Sequence, residues 1–182
     1  MKTVPILLAA VLAPLWAQEI KMPANFDKLA AKADETVDVS LDGAMLRMAG
    51  RFMSDKDADQ AKARKLLSGL QSVTVKSFEF SSEGQYDMVD VDAVRAQVKG
   101  PQWSRIVGVR SKRDGDNVDV YFKDGGNGNL GGIVVICAEP MELTIVSIAG
   151  TLDPSQLADL GGQFGIPRLD MGVAINGKKG EK

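Results

Sequence analysis

The chain has 182 residues, a formal net charge of −2, no histidine and a single cysteine, Cys137. That length suits one domain with a real hydrophobic core, and the acidic balance argues against a nucleic-acid binder or a polybasic membrane patch. One cysteine cannot form an intramolecular disulfide, so packing alone must hold the fold.

Residues 1–17 read as an export signal. Lys2 supplies the positive start, Ile6 to Leu15 the apolar stretch, and Ala17 a small residue at which cleavage is expected, although Leu15 is a weaker match than alanine three positions before the cut. The apolar run is too short to span a bilayer of about 30 Å as a permanent helix, and no cysteine near the cut offers a lipid anchor. A periplasmic or secreted product with no stable membrane insertion after signal removal is therefore expected. Residues 18–170 should form one domain, and 171–182 a polar flexible tail.

Asn25 to Ala33 places Phe26, Leu29 and Ala30 at helical spacing behind a candidate cap at Asn25. Thr36 to Leu41 alternates Val37, Val39 and Leu41 with polar residues, the pattern of a half-buried strand. From Leu41 the period changes, and Leu41, Met45, Met48, Ala49 and Phe52 recur at threes and fours through Met53. Ser54 and Asp57 then form a capping-box-like pair before a second helix with Ala61, Leu66, Leu67 and Leu70 on its apolar side. Ser72 to Phe80 reads as a strand whose apolar parity switches from Val73 and Val75 to Phe78 and Phe80, so a bulge near Ser77 is expected. Asp90 should cap a helix over Val91, Val94 and Val98, stopped by Gly100-Pro101.

Four apolar runs follow with only turn residues between them: Trp103 to Lys112, Val118 to Lys123, Leu130 to Ala138 and Leu143 to Ala149. They predict an antiparallel meander. Within it, Val118, Val120 and Phe122 alternate with Asp119, Tyr121 and Lys123, which implies one wet face. Asp153-Pro154 should open a last helix with Leu157, Ala158 and Leu160 facing inward. The predicted fold is α+β, a two-layer sandwich with a mostly antiparallel sheet of about six strands and helices packed on one face.

Without histidine the commonest neutral-pH general base is missing, as are Ser-His-Asp and Cys-His catalysis and imidazole metal sites. Met45, Met48 and Met53 would suit Cu(I), but the same spacing makes Met45 and Met48 core filler. The oxygen-rich runs around Asp114, Asp116 and Asn117, and Asp124, Asn127 and Asn129, match what hairpin turns require and do not match a calcium loop. Asp87, Asp90 and Asp92 read as a cap with solvated neighbours. Arg105, Arg110, Lys112 and Arg113 put a basic patch on the first meander strand, either a solvated face or a seat for an anionic partner. Gly125 to Gly128 makes no phosphate loop, since neither Gly-Lys-Ser/Thr nor a helix follows. Cys137, inside an apolar run, reads as a small buried hydrophobe. No residue is assigned a catalytic, cofactor-binding or metal role.

Phe26-Asp-Lys-Leu-Ala30 through Val37-Asp-Val39, Val73 to Phe80, Trp103 to Val107, Asn117 to Tyr121 and Glu142 to Val146 together resemble the bacterial family DUF4252, a domain of unknown function. The resemblance covers about residues 24 to 169. It implies an exported bacterial domain with no established activity, and no functional residues to carry over. Some relatives look like lipoproteins, from which this chain departs by lacking the lipid-bearing cysteine. Three functions stay open. The favoured one is a non-enzymatic binding module of the cell envelope that takes an envelope protein or small ligand at its sheet face or helix grooves. A histidine-independent hydrolase would need a deep pocket with two convergent carboxylates. A Met-based metal carrier would need exposed sulfurs.

Overall fold

Ile133 to Ala138 is an unbroken apolar run with no alternation, the pattern of a strand covered on both faces. The computed structural model, which describes residues 20–155, places that run at the heart of a six-stranded sheet. The strands are β1 (Glu35–Asp42), β2 (Leu70–Glu79), β3 (Trp103–Arg110), β4 (Asn117–Gly126), β5 (Asn129–Glu139) and β6 (Glu142–Leu152). Their order is β1-β2-β6-β5-β4-β3, and every neighbouring pair is antiparallel. The helices are α1 (Phe26–Ala30), α2 (Gly43–Arg51), α3 (Ala58–Gly69) and α4 (Met88–Gln97). The α+β class, the antiparallel meander and the element order are those the sequence predicts.

The placement of the helices is not. Side chains of adjacent strand residues point to opposite faces, and they fall into two separate cores. On one face Phe78, Tyr121, Val134, Ile136, Leu143 and Ile145 pack with Phe26 and Leu29 of α1 and Val91 and Val94 of α4. On the other, Val120, Ile133 and Leu152 pack with Leu46 of α2, and Leu66 and Leu67 of α3 lie against them. The helices therefore divide between the two faces, and the face expected to be wet is covered by α1 and α4.

The same division removes the bulge expected near Ser77. β2 pairs with β1 in unbroken register from Ser72 to Glu79, and the one irregularity against β6 falls between Leu70 and Ser72. Val73 faces the α2 side while Phe78 faces the α1 side. The switch in apolar parity records a change in which face is better covered, with no change in backbone phase.

Three caps also differ from expectation. Asp57, not Ser54, closes the start of α3, accepting from the amides of Asp59 and Gln60. Asp87, not Asp90, caps α4 through the Val89 amide. Asn25 makes no side-chain cap on α1; its amide donates to Asp90 at 2.6 Å and so ties α1 to α4. The expected signal segment, the tail and the inward face of the last helix lie outside the described residues. Ser155 does donate its amide and hydroxyl to the Asp153 carboxylate, the geometry of a helix start.

Candidate functional site

On α4, Val91, Val94 and Val98 form an apolar stripe at helical spacing and are almost wholly buried. Arg95 stands inside that stripe, one turn after Val91, and is buried with it. A charged group sealed this way needs a counter-charge. β4 supplies one. Asp119 is 0% exposed, directly opposite Ile136 of β5, and its Oδ2 accepts from Arg95 Nε at 2.8 Å.

Two further arginines arrive from the edge strand β3. Arg110 donates from one terminal nitrogen to both Asp119 oxygens at 2.8 Å, and from the other to the carbonyls of Val109 and Val118. Arg105 reaches Oδ1 at 3.4 Å. Asp92, exposed at the rim, accepts from Arg95 at 2.9 Å. Burial works to lower the Arg95 pKa, but the hydrogen bonds it donates to Asp92 and Asp119, together with the charges of those two carboxylates, hold it above its ordinary value. Tyr121 faces the same side, and burial together with the Asp119 charge pushes its hydroxyl pKa up.

The basic patch read from the sequence therefore contributes Arg105 and Arg110 to this cluster. Lys112 and Arg113 belong to the turn beyond β3, where Arg113 pairs with Asp114. Asp119 and Arg95 were not legible as members. Two signals pointed to them: the unbroken apolar run of β5, which implies that the Asp119 face is covered, and an arginine in the apolar register of α4.

The remaining candidates fall elsewhere. Asp114 accepts from Ser111, the Asn117 amide donates to the Gly115 carbonyl, and Asp124 accepts from the Gly126 amide. Asn127 has φ +54 between two glycines in the left-handed region, so this run forms the β4-β5 turn. Among the described residues no group of three or more His, Cys, Asp or Glu side chains is placed to hold a metal ion. Cys137 is half-buried, and burial pushes its thiol pKa up with help from Glu139 and Glu142.

Met45 and Met48 are not core filler. The inward side of α2 is Leu46 and Gly50, while Met45 and Met48 are about half exposed and Phe52, just past the helix, is 85% exposed. Met53 is half-buried. On the same side of the sheet, Val37 and Leu41 of β1 are also exposed.

An open depression of about 370 Å³ lies between α1 and the start of α4, lined by Asn25, Leu29, Lys32, Tyr86, Asp87 and Met88. Its one carboxylate, Asp87, is occupied as a helix cap. A second cavity of about 10 Å³ near Trp103 and Ser147 holds no carboxylate. Neither brings two carboxylates together.

At the far end of the sheet, Glu35, Glu79, Glu142 and Glu139 stand side by side in register across β1, β2, β6 and β5. Burial pushes the Glu139 pKa up, and the neighbouring charges of Glu142 and Asp116 push it further.

These features define a sheet domain with helices on both faces, stitched beside its β3 edge by an arginine–aspartate cluster built on the buried Asp119 and leaving one apolar helix stripe in water. The chain belongs to the family described as Domain of unknown function (DUF4252), whose model matches residues 26–160. No curated protein and no solved structure matches it.

Proposed function

We propose that this chain is exported by its N-terminal segment and acts in the periplasm or outside the cell as a non-enzymatic interaction module, whose partner is an envelope protein. The observation that carries this reading is the stripe formed by Met45, Met48 and Phe52, with Val37 and Leu41 exposed on the same side of the sheet. Leaving a phenylalanine in water forgoes about 1.5–3 kcal/mol of burial energy. Clustered exposed apolar side chains of this kind mark surfaces that meet a partner. Met adds an adaptable, polarizable contact.

The test combines processing with capture in the cells that make the protein. The mature chain is expected to start near residue 18 and to be released by osmotic shock or found in the medium. The tagged wild type is expected to hold an envelope partner that the Met48→Ser/Phe52→Ser variant loses, both proteins melting alike. An uncleaved chain retained in the cytoplasm, or one partner set common to both, overturns the reading.

A second reading uses the same residues. Met45 and Met48 lie three residues apart with both side chains exposed, as thioether ligands for Cu(I) would need to be. Competition against a Cu(I) chelator separates the two: retention of one Cu(I) by the wild type and not by Met45→Leu/Met48→Leu favours the carrier, and no retention removes it.

A further inference from the structure

The arginine cluster holds more donors than its own acids can fill. Three guanidinium groups converge on Asp119, with Asp92 as the second carboxylate, leaving a local surplus of positive charge in a chain whose net charge is −2. Both Asp119 oxygens are already taken at 2.8 Å, Oδ1 by Arg110 and Oδ2 by Arg95 and Arg110. Arg105 comes last, at 3.4 Å, outside the usual N–H···O range of about 2.7–3.2 Å. That is its one contact with an acid among the described residues, and its side chain is half exposed. Within the cluster, one Arg95 nitrogen is sealed from solvent with no acceptor.

The backbone is shaped to hold Arg105 in this position. A register shift between Arg105 and Val107 makes Ile106 the extra residue of β3, and Gly108 stands opposite Asp119. A β-carbon on Gly108 would come 3.1 Å from the Arg105 guanidinium carbon, so the missing side chain is the space in which Arg105 lies. Tyr121 is directly opposite Arg105, and Trp103 and Lys123 form the next pair along the same face, with the Lys123 ammonium 5.8 Å from the Trp103 ring centre.

We propose that Arg105, backed by Arg110, is a receptor for an external carboxylate. A carboxylate is planar and offers two oxygens to the guanidinium fork, so two parallel N–H···O bonds can form to one side chain. Arginines on an edge strand also discourage edge-to-edge pairing. That role needs charge alone, and lysine would fill it. A receptor needs the fork.

The site lies on the opposite face from α2, so its failure and that of the α2 stripe are separately visible. Titration calorimetry on the full chain at low ionic strength, with citrate and an acetylated octaglutamate peptide as probes, tests it. Wild type is expected to bind both, with sodium chloride weakening binding. Arg105→Gln is expected to weaken both by about tenfold or more, the scale of one charge-assisted hydrogen bond. Arg105→Lys should fall short of wild type although it keeps the charge. Melting should be unchanged in either, because Arg95 and Arg110 still fill Asp119. Tighter binding of the peptide assigns the site to an acidic protein segment, and tighter binding of citrate to a small carboxylate. The proposal is overturned by no heat from either probe, by Arg105→Lys binding as tightly as wild type, or by inorganic phosphate binding more tightly than both.

Discussion

Arg95 Nε donates to Asp119 Oδ2 across 2.8 Å, joining the last turn of α4 to the start of β4. The bond is buried on both sides, so it fixes where α4 sits along the sheet. Removing one partner leaves uncompensated charge in the core. Asp119→Ala is expected to cost about 3–5 kcal/mol, measured by denaturant unfolding. Arg95→Met combined with Asp119→Leu should recover most of that loss, since Arg105 and Arg110 are part-exposed and return to water. A double variant as unstable as Asp119→Ala would contradict this.

The glutamate row gives stability a pH dependence of defined sign. The Glu139 pKa is raised in the fold above the ordinary glutamate value of 4.5, first by burial and then by the charges of Glu142 and Asp116. The folded state therefore binds its proton more tightly than the unfolded chain does, and stability falls as pH rises from about 4.5 through the folded pKa. Glu139→Gln should raise the unfolding midpoint at pH 7 and flatten that decline. Equal curves for variant and wild type would remove the assignment.

Both tyrosines of the chain are buried enough to resist ionisation. Tyr86, stacked on Phe80 and donating to the Glu139 carbonyl, is pushed from 10.0 up to about 12, mainly by burial and then by the Glu139 charge. Tyr121 is raised as well. Absorbance titration should therefore show no tyrosine ionising with a midpoint near pH 10 while the chain stays folded. Because the neutral phenol is favoured in the fold, stability should drop as pH climbs from about 10 to about 12. Tyr86→Phe should be less sensitive over that window.

Gly150 closes the junction of β6 with β2. Its φ is +145, and a β-carbon there would lie 2.4 Å from the Gly69 carbonyl oxygen. Gly150→Ala is expected to lose at least about 1–3 kcal/mol, the scale of backbone strain at such positions, read from the shift in denaturant midpoint. A neutral substitution would mean that β2 and β6 separate there easily.

The meander was legible because Val118, Val120 and Phe122 alternate and glycine-rich turns separate the runs. The layers were less so. Strand alternation reports which residues share a face, and it treats a polar residue as wet unless something else covers it. Asp119 was hidden for that reason: its cover comes from α4, far away in sequence. Met45 and Met48 failed in the opposite direction. Helical spacing showed that they share a face with Phe52, but spacing alone does not say whether that face meets the sheet, and Leu46 and Gly50 do so instead.

The docking role of the α2 stripe is tested most directly by a photo-crosslinking residue placed at Phe52 and, as a control, at Val89, which is also exposed but lies on α4 across the sheet. Irradiated in the cells that make the protein, the chain labelled at position 52 is expected to form one discrete adduct with an envelope protein, and the chain labelled at 89 none of that mass. The same adducts from both positions, or none from position 52, would contradict the account.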